Sequence, residues 1–235
     1  MTVINIEQAA ADRADAALQT LPIAFAAIVQ KNMDLAKQYL CPELLTFQAN
    51  RIAPFWEAVR AGCGGEGPPY WGWSWPGTVG LARYVIDNPK LVEGKSVLDL
   101  GAGNGLATLA SIHAGARACI ANDIDPISMC MVRAHLQLND MVATLDERNL
   151  LVTDPAETNC DVILVGDLFY EHGLATAATA WLQKSCDLGR LVLIGEPGRN
   201  HPPTERITVI QTYQLLVSVE LENRPTRKTR VLQMH

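Results

Sequence analysis

The stretch "VLDLGAGNG" (residues 97–105) decides how the rest of the chain reads. Val97, Leu98 and Leu100 make a short apolar run of the kind a buried strand uses. Gly101, Gly103 and Gly105 then crowd a turn, and the residues from about 104 to 114 read as a helix. Glycines at a strand-to-helix turn let the backbone bend sharply and approach a ligand closely. A lone G-x-G is a weak sign. This one has a strand before it, a helix after it, and an acid, Asp123, roughly 20 residues downstream, where a carboxylate can accept both hydroxyls of a ribose.

The pattern repeats outward from this turn. "ACIAN" (118–122), a segment within "ATLDERNLL" (143–151), "DVILVGD" (161–167) and "RLVLIGE" (190–196) read as further strands. Helices are predicted over about 126–138 and over "LATAATAWLQKSC" (174–186). Strands regularly separated by helices predict an α/β fold, a doubly wound and mostly parallel Rossmann-like sheet covered on both faces. The tail differs. "YQLLVSVEL" (213–221) and "TRKTRVLQM" (226–234), joined through "ENRPTRK", predict a terminal antiparallel pair, for seven strands in all.

The front of the chain predicts an N-terminal helical extension over residues 1–60. "IEQAAADRADAALQTL" is rich in helix formers, Pro22 can open a second helix, and "AFAAIVQKNMDLAKQYL" (24–40) continues at helical spacing. The glycine- and proline-rich "AGCGGEGPP" (61–69) separates it from the main domain, 61–235.

Composition narrows the partners. Net charge is −6, so the chain lacks the basic field of a generic nucleic-acid binder. No [ND]-P-P-[YFW] motif follows the fourth strand. The run "LPIAFAAIV" (21–29) is too short to span a bilayer and no signal peptide is visible. Six cysteines are scattered with no C-x-x-C pair, which predicts reduced thiols in a cytoplasmic protein and no metal site.

Two cofactor classes share the glycine-turn plan. Dinucleotide binders want a third glycine at 106, and that residue is Leu106. Here Asp99 precedes the first glycine, and a carboxylate suits an ammonium-bearing ligand better than a pyrophosphate. S-adenosyl-L-methionine has an amino-acid end, a ribose and no phosphate, and is the expected cofactor. Asp99, Gly101, Ala102, Gly103, Asn104, Asp123 and Ile124 are its candidate contacts, with Asn149 and Leu150, at the end of the third strand, beside the adenine.

"GDLFYE" (166–171) ends the fourth strand at the topological switch point, where ligands bind in such sheets. Asp167 and Tyr170 are the candidate catalytic pair. Asp167 can bind an incoming ammonium, while aromatic walls favour the neutral amine that attacks. The alternative is an N-cap aspartate beside a packed tyrosine. "GEPGRNHPP" (195–203) puts Glu196 and Arg199 at the same edge, either lining an acceptor entrance or holding a turn. "YWGWSW" (70–75) alternates large and small residues, so an extended backbone would put its indoles on one face. Trp75 is assigned to the cofactor, and Trp71 and Trp73 either to the acceptor or to core.

The quoted motifs, with "PPYWGWSWPGTVGLARYVIDNP", "ANDIDP" and "ELENRPTRKTRV", resemble the seven-β-strand protein lysine methyltransferases. Within them the likeness is to those that methylate the β subunit of electron transfer flavoprotein. It extends over about residues 42–235. It implies that Asp167 and Tyr170, in a D-x-x-Y run, shape a lysine site, and that Trp75 and Asp123 contact S-adenosylmethionine. The implied partner is a protein substrate, the flavoprotein β subunit foremost, with ribosomal proteins as further candidates. The extra helices and tryptophans keep a small-molecule N-methyltransferase as the second reading, and a non-catalytic binding module as a third.

Overall fold

The computed structural model describes residues 6–64 and 67–235. Gly65 and Glu66 of the expected front loop lie outside the described residues. In chain order the elements are α1 (Ile6–Gln19), α2 (Ile23–Asn32), β1 (Met33–Lys37), β2 (Leu45–Ala49), α3 (Ile52–Cys63) and α4 (Pro76–Asp87). Then come β3 (Ser96–Leu100), α5 (Leu106–His113), β4 (Ala118–Asn122), α6 (Pro126–Leu138) and β5 (Thr144–Asp146). The chain closes with β6 (Val162–Gly166), α7 (His172–Asp187), β7 (Leu191–Glu196), β8 (Ile207–Leu216), the short α8 (Val219–Glu222) and β9 (Thr226–Met234).

Seven strands form one sheet in the order β5-β4-β3-β6-β7-β9-β8. The first five run parallel, and β9 pairs antiparallel with both β7 and β8. The apolar runs have their reason here. All five residues of β6, flanked by β3 and β7, are buried, because helices cover both faces. On one face α7 packs Trp181 and Leu182 against Ile163, Val165 and Val192. On the other, α4 packs Leu81 and Val85 against Val97, Leu164 and Leu193. The order reverses between β3 and β6, which opens a crevice at their C-terminal ends.

Three segments depart from expectation. The second helix ends at Asn32, and Met33–Lys37 pairs antiparallel with Leu45–Ala49 as a hairpin. Leu35, a core position on helical spacing, is 36% exposed, while β2 buries Leu45, Thr46, Phe47 and Ala49. The third strand stops at Asp146; Asn149 instead caps a 3₁₀ turn, its Oδ1 accepting from Leu151 N at 3.1 Å. In the tail, β8 starts at Ile207 and stops at Leu216, and residues 219–222 are helical, closed by Asn223 at φ +55°.

The front of the chain is not a detached arm. Phe25, Val29, Phe47, Phe55 and Val59 share a core with Met131, Ala134 and Leu138 of α6. Polar bridges pin the hairpin to α6: the Asn139 side chain exchanges two hydrogen bonds with the Leu45 backbone, and His135 makes a second link. His135, fully buried, accepts from Phe47 N at 2.8 Å through Nε2, so its Nδ1 carries the proton donated to the Asn104 carbonyl, 2.7 Å away. Burial pushes its pKa down to about 4, so the ring is neutral at neutral pH.

Candidate active site

The glycine turn is built as a cradle. Gly101, Gly103 and Gly105 have φ of +70°, +56° and +79°, the left-handed region that costs other residues free energy. Gly103 is held at both ends of its backbone: its N–H donates to Asp123 Oδ2 at 2.9 Å and its carbonyl accepts from Ser128 Oγ at 2.6 Å. Asp123 Oδ1 accepts from Asp125 N at 3.0 Å. Each Asp123 oxygen keeps a second lone pair, and the side chain lines the cavity. Burial raises its pKa, and the Asp125 and Gly103 amides oppose that rise.

Asp99 does something other than expected. It is 2% exposed and lies beneath the cavity rather than on its wall. Its Oδ2 accepts from Thr108 N at 2.9 Å and Thr108 Oγ1 at 2.7 Å, which ties β3 to α5. Desolvation pushes its carboxyl up to about 6. It supports the turn instead of facing an ammonium group.

The cavity has a volume of about 380 Å³. That is the size range of a site for one small organic molecule. The strand order divides it. Ile124 after β4, with Asn149 and Leu150 beyond β5, lies on one side of the glycine turn; Asp167, Tyr170 and Arg199 lie on the other. Gly101, Ala102, Gly103 and Asn104 form the floor between them.

Asp167, the residue after β6, is the most constrained group of the site. Its φ is +57°, and its side chain is 9% exposed. Oδ2 accepts from Thr78 N at 2.8 Å. That amide is one of the unpaired donors in the first turn of α4, and Trp75, the residue before the helix, offers no side-chain cap. Asp167 therefore caps α4 from a distance and sits at the positive end of its dipole. Oδ1 accepts from Arg199 Nε and Nη2 at 3.0 and 2.6 Å. Burial raises the Asp167 pKa, while Arg199 and the Thr78 amide hold it down. Strain and burial at one polar residue are the usual marks of a functional position.

Around Asp167 the rim is aromatic. Tyr70 lies 5.4 Å from Tyr170 and 5.9 Å from Trp75, centroid to centroid. The Arg199 guanidinium carbon lies 5.3 Å from the Trp75 ring, a cation–π contact. Tyr170 and Tyr70 are 41% and 44% exposed, so the entrance is open to a docking side chain. Of the two roles open to Glu196, it takes the turn and does not line the cavity. At 1% exposure it accepts from the Gly198 and Arg199 amides at 2.7 and 2.5 Å and from Arg230 at 2.6 Å. It shapes the turn that presents Arg199.

The tryptophans separate. Residues 70–72 form a 3₁₀ turn, so the three indoles do not share a face. Trp71 is 2% exposed, edge-on to Phe25 and Phe55 at 5.3 Å; it is core, with one edge on the cavity. Trp73 packs on Phe55 at 5.5 Å and donates to the Ala49 carbonyl at 3.1 Å. Trp73 also borders the cavity, 6.4 Å from Trp75, and Trp75 stands at the rim beside Arg199, its Nε1 donating to Tyr70 O at 2.7 Å.

Several site residues are not singled out by the sequence. Thr78 acts through its backbone amide, which leaves no side-chain signal. Ser74 and Gln48 form a strap: Asn104 Nδ2 donates to Ser74 Oγ at 2.6 Å, and Ser74 N to Gln48 Oε1 at 2.9 Å. Tyr70 stands inside the quoted aromatic run, where the tryptophans draw the reading away from it. The six cysteines are free, and burial pushes the Cys41 and Cys119 thiols up to about 12, so neither is a nucleophile.

Comparison with known proteins follows the same outline. The family model for ribosomal protein L11 methyltransferase (PrmA) matches residues 80–168. The human electron transfer flavoprotein β subunit lysine methyltransferase is 36% identical over 205 residues, which cover 84% of this chain and 77% of that one. Its rat counterpart is 33% identical over 223 residues, covering 92% and 86%. Among solved structures, SMU.776, a putative methyltransferase complexed with SAH, superposes with a TM-score of 0.57 at 14% identity, covering 86% of this chain and 56% of that one.

Proposed function

The chain belongs to the electron transfer flavoprotein β subunit lysine methyltransferase family, and from that premise we propose that it uses S-adenosyl-L-methionine to methylate lysine side chains of that β subunit. The observation that carries the substrate class is the placement of the buried Asp167 carboxylate under the ring of Tyr70, Trp75 and Tyr170, on the far side of the glycine turn from Ile124 and Leu150.

The cavity fits the cofactor. Asp123 offers free lone pairs for the ribose hydroxyls. Ile124, Asn149, Leu150 and Leu151 make a mostly apolar slot for a flat base. The left-handed glycines leave the floor open, and a Cβ at Gly103 would meet nothing within 4 Å. When bound, S-adenosylmethionine supplies the activated methyl group.

The protein's own groups handle the acceptor. A lysine arrives as an ammonium, since its side chain in water titrates at about 10.4. The Asp167 carboxylate and the faces of Tyr70, Trp75 and Tyr170 attract that cation and aim its nitrogen. To react, the nitrogen must lose a proton to water at the open entrance and so free its lone pair. Burial against the aromatic ring disfavours the charged form, and the Arg199 cation repels it. The pull of Asp167 opposes both, so the charge balance at Asp167 sets the pH at which the amine becomes reactive. Tyr170, whose hydroxyl burial makes harder to ionise, stays a neutral hydrogen-bonding group.

The test is transfer of radiolabel from S-adenosylmethionine to the purified flavoprotein β subunit, followed by amino-acid analysis. Label recovered as methylated lysine supports the proposal. Label confined to small molecules, or to other residues, contradicts it.

A further inference from the structure

Glu222 lies in α8, outside the cavity, yet its side chain is only 3% exposed and it holds two arginines. Oε1 accepts from Arg199 Nη2 at 2.9 Å, and Oε2 lies 3.0 Å from Arg227 Nε. The same Arg199 Nη2 meets Asp167 Oδ1 at 2.6 Å. One guanidinium is thus divided between two buried carboxylates, and it cannot neutralise both. Asp167, Arg199 and Glu222 together carry one net negative charge. Arg227 balances it, but from the far side of Glu222.

The geometry points to Glu222 as a positioning residue: by drawing Arg199 toward itself it leaves Asp167 with negative charge for the acceptor ammonium. This rests on the reading of the acceptor as a lysine side chain. The other charged and titratable groups around the chain are already matched or distant from it. Glu196 is paired with Arg230, Tyr70 and Tyr170 belong to the aromatic rim and carry no charge, and Asp123 is bonded to the glycine turn. Glu222 itself faces Arg199 from the turn after β7 and Arg227 from β9. The negative charge of Glu222 also raises the Asp167 pKa, while Arg199 lowers it.

The two consequences have opposite signs, which separates this role from a merely structural one. A more negative Asp167 binds the ammonium form more tightly. It also holds the lysine protonated, so kcat falls off at a higher pH. Glu222→Gln keeps the shape and removes the charge. We expect its KM for the purified flavoprotein β subunit to rise about tenfold, and the acidic limb of its kcat profile to move down by about one pH unit. Arg227→Gln leaves Glu222 free to pull harder on Arg199. It should shift both quantities the other way.

Calorimetry with S-adenosylmethionine serves as the folding check, with cofactor affinity unchanged in both variants. The inference is overturned if Glu222→Gln binds cofactor normally and shows wild-type KM and an unmoved limb. It is also overturned if both variants lose cofactor affinity and activity together, as a scaffold role requires. A wild-type protein that methylates no lysine overturns the proposed substrate as well, and is told apart by the wild-type assay alone.

Discussion

The backbone amide of Thr78 donates to Oδ2 of Asp167 at 2.8 Å, across 89 residues of sequence. One carboxylate thereby ends a strand, starts a helix and faces a ligand cavity. The first turn of α4, led by Trp75 and Pro76, is carried into the site by that contact, and α4 in turn packs on the sheet through Leu81 and Val85. Binding chemistry and folding are joined at Asp167, and the predictions begin there.

Asp167→Asn should lower kcat by about 10²-fold, because the amide no longer aims the acceptor nitrogen, and should raise KM, because the charge that attracts the ammonium is gone. The amide keeps an oxygen for Thr78. Affinity for S-adenosylmethionine should change little. Both variants lose the Arg199 ion pair, but only Asp167→Ala also uncaps α4, so it should be the less stable of the two by about 0.5 to 2 kcal/mol. Paired calorimetry and denaturant titration check this; equal stability of the two variants would contradict the capping role.

Asp123→Ala should weaken cofactor binding roughly ten- to hundredfold, the cost of losing charged hydrogen bonds. It also releases Gly103 N, so the loss should exceed that of a variant confined to the rim, such as Tyr70→Phe. Unchanged affinity by calorimetry would refute the ribose assignment.

Gly77→Ala should abolish activity and destabilise the fold. A Cβ there would press on the Gly195 carbonyl and come within 2.5 Å of Asp167 Oδ2. The φ of Gly77 is not in the left-handed region, so the effect is one of space alone. Gly64→Ala is the control for a glycine of the opposite kind, with open surroundings but φ of +74°. It should cost only about 1 kcal/mol.

His135 should make the protein acid-sensitive. Its folded pKa is depressed to about 4 from 6.5, so the neutral ring is the form the fold requires. Its stabilisation is complete above the unfolded value and is lost as pH falls from about 6.5 toward 4. The full effect is about 3 kcal/mol. Asp99, pushed up to about 6, acts in the opposite sense over the same window, since protonation relieves its burial. The difference between wild type and His135→Gln in urea midpoints at pH 7 and pH 4.5 therefore isolates the histidine. That gap should narrow on acidification, and a constant gap would contradict the assignment.

Much of this was legible in local sequence. "VILVG" reads as a central strand because five consecutive apolar residues suit a strand covered on both faces. The bounds of α6 are readable because Asp125 and Pro126 supply a cap and a first-turn proline. Residues 33–37 are not readable. Met33 and Leu35 fit helical spacing as well as a hairpin, and the pairing with Leu45–Ala49 is what decides. The same limit applies at the site. Asp123, Asp167 and Arg199 carry a charge that marks them in their motifs, but the contacts that order the site are not marked in this way. Thr78 holds Asp167 through its backbone, Glu222 reaches Arg199 from α8, and Gln48 and Ser74 brace Asn104 of the glycine turn, all by packing that local sequence does not show. Asp99 and Glu196 show the converse: both stand in motifs, and both spend their charge on holding a turn.

Peptide mass spectrometry of the flavoprotein β subunit tests the central claim most directly. The subunit is incubated with saturating S-adenosylmethionine and either the wild-type protein or Asp167→Asn. The wild type should add methyl groups to lysine, and the variant, though it binds cofactor, should add almost none. Methylation at equal rates by both, or no methylated lysine with the wild type, would contradict the assignment of Asp167 to a lysine acceptor.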